Sequence, residues 1–387
     1  MRFNLNKVSY LLVLMGFLLI SCDPGPVGDA SLPAAGPGSS RLSELLRDDS
    51  TDQFPKAVEP REFRYPRDHG SHENYRNEWW YFTGNLDAKD GRRFGYELTL
   101  FRFSLTPDEP EPRYSNWTTN QVYVGHFAVT DVQGKEFLVA QRYSRGSLGL
   151  AGAADSPVRI WLDDWSIDVD DSGKHWRLVA SDERIDINLV LTAVKPVVLN
   201  GARGLSQKSA EPGNASYYYS IPRLDTAGTV RVDDETFNVA GRSWLDREWG
   251  SSALSRDQRG WDWFALQLSD GSDLMFYTIR QNDGLPDEHS AGTLTGADGQ
   301  IASLSMSDVS IEVLDTWDSE RGGSYPAKWR VDIPSRDLSV EVTPVLDNQE
   351  LITNVRYWEG AVDVSGHSGS APISGRGYVE LTGYADP

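Results

Sequence analysis

Three carboxylates stand where strands should be apolar. Glu78 lies in Glu78-Trp79-Trp80-Tyr81-Phe82, and Asp246 and Glu248 lie in Trp244-Leu245-Asp246-Arg247-Glu248-Trp249. A carboxylate among aromatic side chains is costly unless it is paired or protonated. Paired with Arg76, Arg102, Arg242, Arg247 or Arg280, each would be a structural ion pair. Left unpaired, each would be a weak acid of raised pKa, able to protonate an alkene while aromatic faces stabilise the cation. That chemistry belongs to a hydratase or isomerase. Glu78, Asp246 or Glu248 would supply the proton, and Trp249 and Tyr277 would flank the cation. Trp79, Trp80, Trp244, Trp249 and Trp263, with Tyr277 and Arg247, are the candidate ligand-binding residues. Ordinary barrel core is the competing role for each Trp.

Other chemistries leave no pattern. Of the six histidines, none sits in a His-Glu-x-x-His pair. His69 with His72 is a weak metal-like pair that reads as a surface loop, and His126 reads as core or as a hydrogen bond to a pocket. Gly366-His367-Ser368-Gly369-Ser370 misses the last glycine of a nucleophile elbow. No phosphate-binding glycine loop occurs. The expectation is therefore no metal and no cofactor.

The elements that must position these residues read as strands. Arg93-Phe94-Gly95-Tyr96-Glu97-Leu98-Thr99-Leu100-Phe101-Arg102-Phe103 alternates with a period near two. Lys89-Asp90-Gly91, Asp270-Gly271 and Ala297-Asp298-Gly299 are turn signals. No long amphipathic helix is expected, Ser40 to Arg47 being the one short exception, so the class is all-β. The chain also echoes itself. Glu78–Leu86 followed by Tyr96–Arg102 resembles Trp261–Leu268 followed by Leu274–Arg280, and Gly241–Asp246 resembles Gly375–Glu380. Two echoes in the same order predict two tandem copies of one β-fold, 61–252 and 253–387.

The N-terminus carries an address. Arg2 and Lys7 precede an apolar stretch, Val8 to Ile20, that is shorter than the roughly 20 residues a membrane span needs. This is a secretory signal, 1–21, with an uncleaved anchor or a plain signal peptide as alternatives. Leu19-Ile20-Ser21-Cys22 resembles the lipobox of bacterial lipoproteins, and Cys22 is the one cysteine of the 387 residues. Residues 22–60, rich in Pro, Gly, Ser and Asp, read as a lipidated flexible tether. The expected location is the exported side of a cell membrane, periplasm-facing, with Asp23 favouring the inner membrane. The formal charge of -20 opposes binding to nucleic acid or anionic lipid.

Four blocks carry a family resemblance. They are His72–Leu86, Gly125–Asp131, Trp244–Gly250, and Tyr357-Trp358-Glu359-Gly360 with Gly377–Tyr384. In this order they resemble the AttH and carotenoid 1,2-hydratase superfamily. The resemblance implies two tandem lipocalin-like antiparallel β-barrels. It also implies relatives that hydrate isoprenoid alkenes or process polyketide-like products. One departure matters. The hydratase branch carries His-x-Trp where this chain has Arg247-Glu248-Trp249, and an arginine does not exchange a proton. The first reading is a membrane-tethered lipoprotein that binds or hands over a hydrophobic, lipid- or isoprenoid-like molecule in a lipocalin-like pocket. The alternatives are the hydratase or isomerase above and an accessory subunit of a membrane export complex.

Overall fold

A computed structural model describes residues 53–108, 115–252 and 254–385. The signal segment, Cys22, the Ser40–Arg47 stretch and most of the proposed tether lie outside the described residues.

The fold is all-β, with three single-turn 3₁₀ segments as its helical content among the described residues. The first sheet holds β1 (Asn77–Ala88), β2 (Arg93–Ser104), β3 (Gln121–Asp131), β4 (Glu136–Arg145), β5 (Ala151–Asp155), β6 (Val158–Leu162), β7 (Trp165–Val169), β8 (His175–Ser181), β9 (Ile185–Ala193), β10 (Val198–Leu199), β11 (Leu205–Gln207), β12 (Ala215–Val232) and β13 (Glu235–Gly250). Its order is β4-β3-β2-β1-β13-β12-β9-β8-β7-β6-β5, with β10 and β11 paired to β12. The sheet curls into a near-barrel. Phe127 of β3 meets Trp165 of β7 edge to face at 5.7 Å, and Arg142 of β4 donates to the Ser181 carbonyl of β8 at 2.9 Å. Gly125 permits this approach, because a Cβ there would stand 2.9 Å from the Trp165 ring.

The second sheet holds β14 (Gln258–Leu268), β15 (Asp273–Gln281), β16 (Ala291–Thr295), β17 (Ile301–Ser305), β18 (Ser310–Asp318), β19 (Ser324–Ile333), β20 (Leu338–Pro344), β21 (Glu350–Ile352), β22 (Arg356–Ser368) and β23 (Ala371–Leu381). Its order is β17-β16-β15-β14-β23-β22-β20-β19-β18, with β21 on β22, and it forms an open half-barrel rather than a closed one.

Strand alternation explains the aromatic runs. On β1, Trp80, Phe82 and Leu86 enter the core of the near-barrel with Leu98, Phe127, Leu245 and Trp249. Residues of opposite parity, Tyr81 on β1 and Trp244 on β13, face the second sheet and pack with Trp263, Met275, Tyr277 and Tyr378. Because both faces of β1 are covered, the strand reads as almost continuously aromatic. The half-barrel has its own core around Phe264, Trp329 and Trp358.

Polar contacts fix the two sheets against each other. Arg223 of β12 donates from Nε to Asp273 Oδ1 of β15 at 3.0 Å, and Lys195 Nζ lies 2.5 Å from Asp273 Oδ2. Asn85 of β1 donates to the Gly377 carbonyl of β23 at 2.9 Å. Ordered packing also begins before residue 60. Phe54 and Ala57 are buried, and Ser251 Oγ donates to the Pro55 carbonyl at 2.5 Å. The apolar side chains of Phe54 and Ala57 are covered although the composition around them is polar.

Candidate functional site

A cavity of ≈ 80 Å³ lies between the sheets, beside the N-terminal halves of β1 and β14. A single water needs roughly 10–15 Å³ by the same measure, so the space admits a multi-atom organic group. Its walls come in pairs that follow the internal repeat. On β1, Tyr81 stands opposite Asp246 of β13 and Thr99 of β2. On β14, Trp263 stands opposite Glu380 of β23 and Tyr277 of β15. Trp79 and Trp261 precede them by two residues and line the cavity from opposite sheets, as do Phe101 and Ile279. Aromatic walls of this kind suit a flat apolar ligand.

Two carboxyls enter this cavity with no Lys or Arg partner among the described residues. Asp246 Oδ1 accepts from Ser220 Oγ at 2.5 Å and from Trp244 Nε1 at 2.7 Å. Its Oδ2 accepts from Tyr218 Oη, which itself accepts from Trp263 Nε1 at 3.1 Å. Burial pushes the Asp246 carboxyl up to about 6, against the pull of these donors and with a further push from Glu248. Burial likewise pushes Glu380 up to about 8. The Trp261 indole holds it down, and the charges of Asp246 and Glu248 raise it. Glu248 differs from both. It accepts from Ser216 Oγ and lies 3.1 Å from Lys208 Nζ. Burial works against the lysine's charge, but Glu248, Tyr277 and Asp246 together more than offset this and raise its pKa.

Behind Glu380 lies a buried acidic group. Glu359 of β22 is the direct ladder partner of Glu380, a like-charge arrangement that is unfavourable if both ionise. Glu359 Oε2 accepts from Tyr81 Oη at 2.8 Å, and Glu97 accepts from Thr99. Among the described residues Glu97 Oε2 and Glu359 Oε1 have no hydrogen-bond partner. Burial first, then the charge of Glu380, hold both carboxyls well above the usual range. His126 Nδ1 meets Tyr357 Oη at 2.7 Å across the sheets, and burial pushes its pKa down to about 3, so it stays neutral. Among the described residues no three His, Cys, Asp or Glu side chains converge as a metal site.

Parity sorts the sequence candidates. Asp246, Glu248, Trp79, Trp263 and Tyr277 line the cavity. Trp244 lies beside it as a hydrogen-bond donor to Asp246. Glu78, Trp80, Arg247 and Trp249 point the other way, into the end of the near-barrel. There Glu78 accepts from Arg102 and Arg247. Burial works against its charge, yet the two arginines hold its carboxyl well below the usual range. Glu78 is therefore no proton donor to the cavity, because a shift of one residue along a strand turns a side chain to the opposite face. Trp249 stacks on His72 with ring centres 3.7 Å apart, and Arg247 lies 4.0 Å over Trp80. Trp249 therefore flanks no cation in the cavity, and Arg247 does not line it.

Sequence reasoning missed Tyr218, Lys208 and Glu380 as members of the site. Glu380 had a signal: the echo of Gly241–Asp246 in Gly375–Glu380 sets it at the position of Asp246. Lys208 had none. It follows β11 in a loop of small residues, and only the tertiary path brings it in.

The comparisons with known proteins agree with this architecture. The AttH-like family model matches residues 56–384. A crystal structure of an AttH-like protein from Nitrosomonas europaea is 33% identical, with a TM-score of 0.76, and the match covers 86% of this chain and 100% of that one. Kievitone hydratase from Nectria haematococca has a TM-score of 0.64 at 16% identity, covering 86% of this chain and 98% of that one, a likeness of fold alone. The dehydratase asqC of Emericella nidulans is 25% identical over 223 residues, 53% of this chain. The chain spans 60% of the length of that curated relative.

Proposed function

Since the chain belongs to the AttH-like family, we propose that its inter-sheet cavity binds a hydrophobic molecule and adds water to it, or removes water from it, by proton transfer with Asp246 and Glu380. The observation that carries this reading is the entry of these two carboxyls, with no salt bridge among the described residues, into one aromatic cavity. Near pH 7 a carboxyl at about 8 is mostly protonated and one at about 6 is mostly ionised. Neighbouring acids driven apart in this way form an acid and a base. Glu380 would give a proton to a leaving hydroxyl while Asp246 accepts one from carbon, and hydration is the reverse. A dehydratase among the similar proteins favours this class of reaction. A plain carrier would gain nothing from buried acids that weaken its fold.

The reading keeps the expected lipid anchor. A lipidated Cys22 would hold an acidic body near a membrane that its own charge does not seek, beside a store of hydrophobic substrate. The test is oxygen exchange. The full chain is incubated in H₂¹⁸O with a panel of hydrophobic alcohols, enones and alkenes, and ¹⁸O incorporation is read by mass spectrometry. Exchange is expected on at least one member, falling by roughly 10²–10⁴ in Asp246→Asn and Glu380→Gln. Tight binding without exchange on any member would return the protein to ligand carriage.

A further inference from the structure

Lys208 comes to the cavity from outside both ladders. Its backbone N–H donates to the Asn214 carbonyl at 2.9 Å. Its carbonyl accepts from Gln258 Nε2 at 2.7 Å, and the same Nε2 donates to Asp287 Oδ2 at 3.1 Å. Gln258 opens β14, so the second sheet holds the lysine in place. Nearby, Ser206 Oγ meets Tyr277 Oη at 2.9 Å. The ammonium is thereby set 4.2 Å over the Tyr277 ring and 5.0 Å over the Tyr218 ring, in a residue that is 8% exposed.

An ammonium carries three donors. Among the described residues, Glu248 Oε1 is the one acceptor within reach. Donor capacity remains on a group that lines the cavity. The same ammonium already occupies the faces of Tyr277 and Tyr218, which a carbocation would otherwise use. A second positive charge there would be repelled, whereas a negative charge growing on a ligand oxygen would be stabilised.

We infer that Lys208 recognises an oxygen acceptor on the ligand, a carbonyl conjugated with the reacting carbons, and that charge in the reaction develops on that oxygen as in an enolate. The chemical part rests on the acid–base reading above. In dehydration, the Asp246 carboxylate takes the proton from the carbon next to the carbonyl. The C–H pair forms the enolate double bond, and the carbonyl π pair moves onto the oxygen, which accepts a hydrogen bond from Lys208. When that pair returns, the bond to the β-hydroxyl breaks, and the hydroxyl leaves as water with the proton of Glu380. Asp246 ends protonated and Glu380 ionised, with solvent restoring both. Lys208 donates a hydrogen bond throughout and transfers no proton.

The test compares an aryl enone with an aryl alkene of equal length that lacks the carbonyl, using calorimetric titration of the full chain. The enone is expected to bind about tenfold more tightly, a difference of ~1.4 kcal/mol. Lys208→Met should erase that difference by weakening the enone alone, and Lys208→Arg should keep most of it. In D₂O, wild type should exchange the proton next to the carbonyl of the β-hydroxyketone, and Lys208→Met should lose this by at least tenfold. Equal affinities in wild type, equal weakening of both probes in Lys208→Met, or ¹⁸O exchange on the isolated alkene that is unchanged in Lys208→Met would overturn the assignment. The last result would leave the acid–base reading standing. A Lys208-dependent enone preference with no oxygen exchange on any probe would do the reverse.

Discussion

Asp246 and Glu380 occupy equivalent positions in the two repeats and enter the same cavity. Asp246 faces Tyr81 across one ladder and Glu380 faces Trp263 across the other. An aspartate hydrogen-bonded by Tyr218, Ser220 and Trp244 thus shares a space with a glutamate backed by a second buried acid. Repetition delivered two carboxyls to one site, and their unequal surroundings make one the weaker acid.

A bell-shaped rate profile follows. With Asp246 acting as carboxylate and Glu380 as acid, the rate should fall below about pH 6 and above about pH 8. The limbs are read from kcat/KM against pH on whichever probe shows oxygen exchange. A profile that keeps rising through pH 9 would exclude Glu380 as the acid.

Stability should have the opposite sign at alkaline pH from that of ordinary salt-bridged proteins. Asp246 and Glu380 have raised folded-state pKa values. Their contribution is fully present below the unfolded carboxyl pKa and is lost as pH rises through about 6 and then about 8. Glu380→Gln, which cannot ionise, should therefore melt higher than wild type at pH 9 and close to it at pH 5. Thermal unfolding at the two pH values decides this.

Glu78→Gln should behave in the contrary way. Glu78, Arg102 and Arg247 are all fully buried, so removing the anion leaves two arginines uncompensated and should cost about 3–5 kcal/mol in denaturant unfolding at pH 7. Its lowered pKa means that this contribution is present above the unfolded carboxyl pKa and is lost as pH falls through the folded value. Asp246→Asn should cost far less, because the nearby Lys208 keeps its direct ion pair with Glu248. Equal losses in the two variants would contradict the division into structural and reactive carboxyls.

Trp244→Phe removes the indole donor to Asp246 Oδ1 and keeps an aromatic ring at the site. Losing a hydrogen bond to the ionised form raises an acid's pKa. The Asp246 titration, followed by ¹³C-carboxyl NMR, should move above about 6, and the acid limb of the rate profile should move with it.

Cys22 calls for a separate test of location. Mass spectrometry of the mature protein should find an acylated Cys22 as its first residue, and Cys22→Ser should shift the body from the membrane to the soluble fraction. An unmodified Cys22 in membrane-free protein would remove the anchor from the proposal.

Much of this molecule was legible in its sequence. Alternation of apolar residues marked the hairpin of β1 and β2, the turn Lys89-Asp90-Gly91 set its length, and the echo of Gly241–Asp246 in Gly375–Glu380 marked the strand that pairs beside each opening strand. These are local properties, fixed by the backbone's period of two and by turn chemistry. The sequence also marked Glu78, Asp246 and Glu248 alike as carboxyls that must each find a partner or a proton.

What the sequence left open was which partner. A period of two says that Trp79 and Trp80 face opposite ways, but not which one meets the cavity. That is decided by where β14 and β23 pack against β1 and β13, through contacts hundreds of residues apart such as Tyr81 to Glu359. Lys208 is the extreme case. Nothing near it in the chain announces a site, and its place depends on a hydrogen bond to Gln258. Desolvation and pairing belong to the assembled volume around a charge, so only tertiary structure could decide that Glu78 is an ion pair and that burial raises the carboxyls of Asp246 and Glu380.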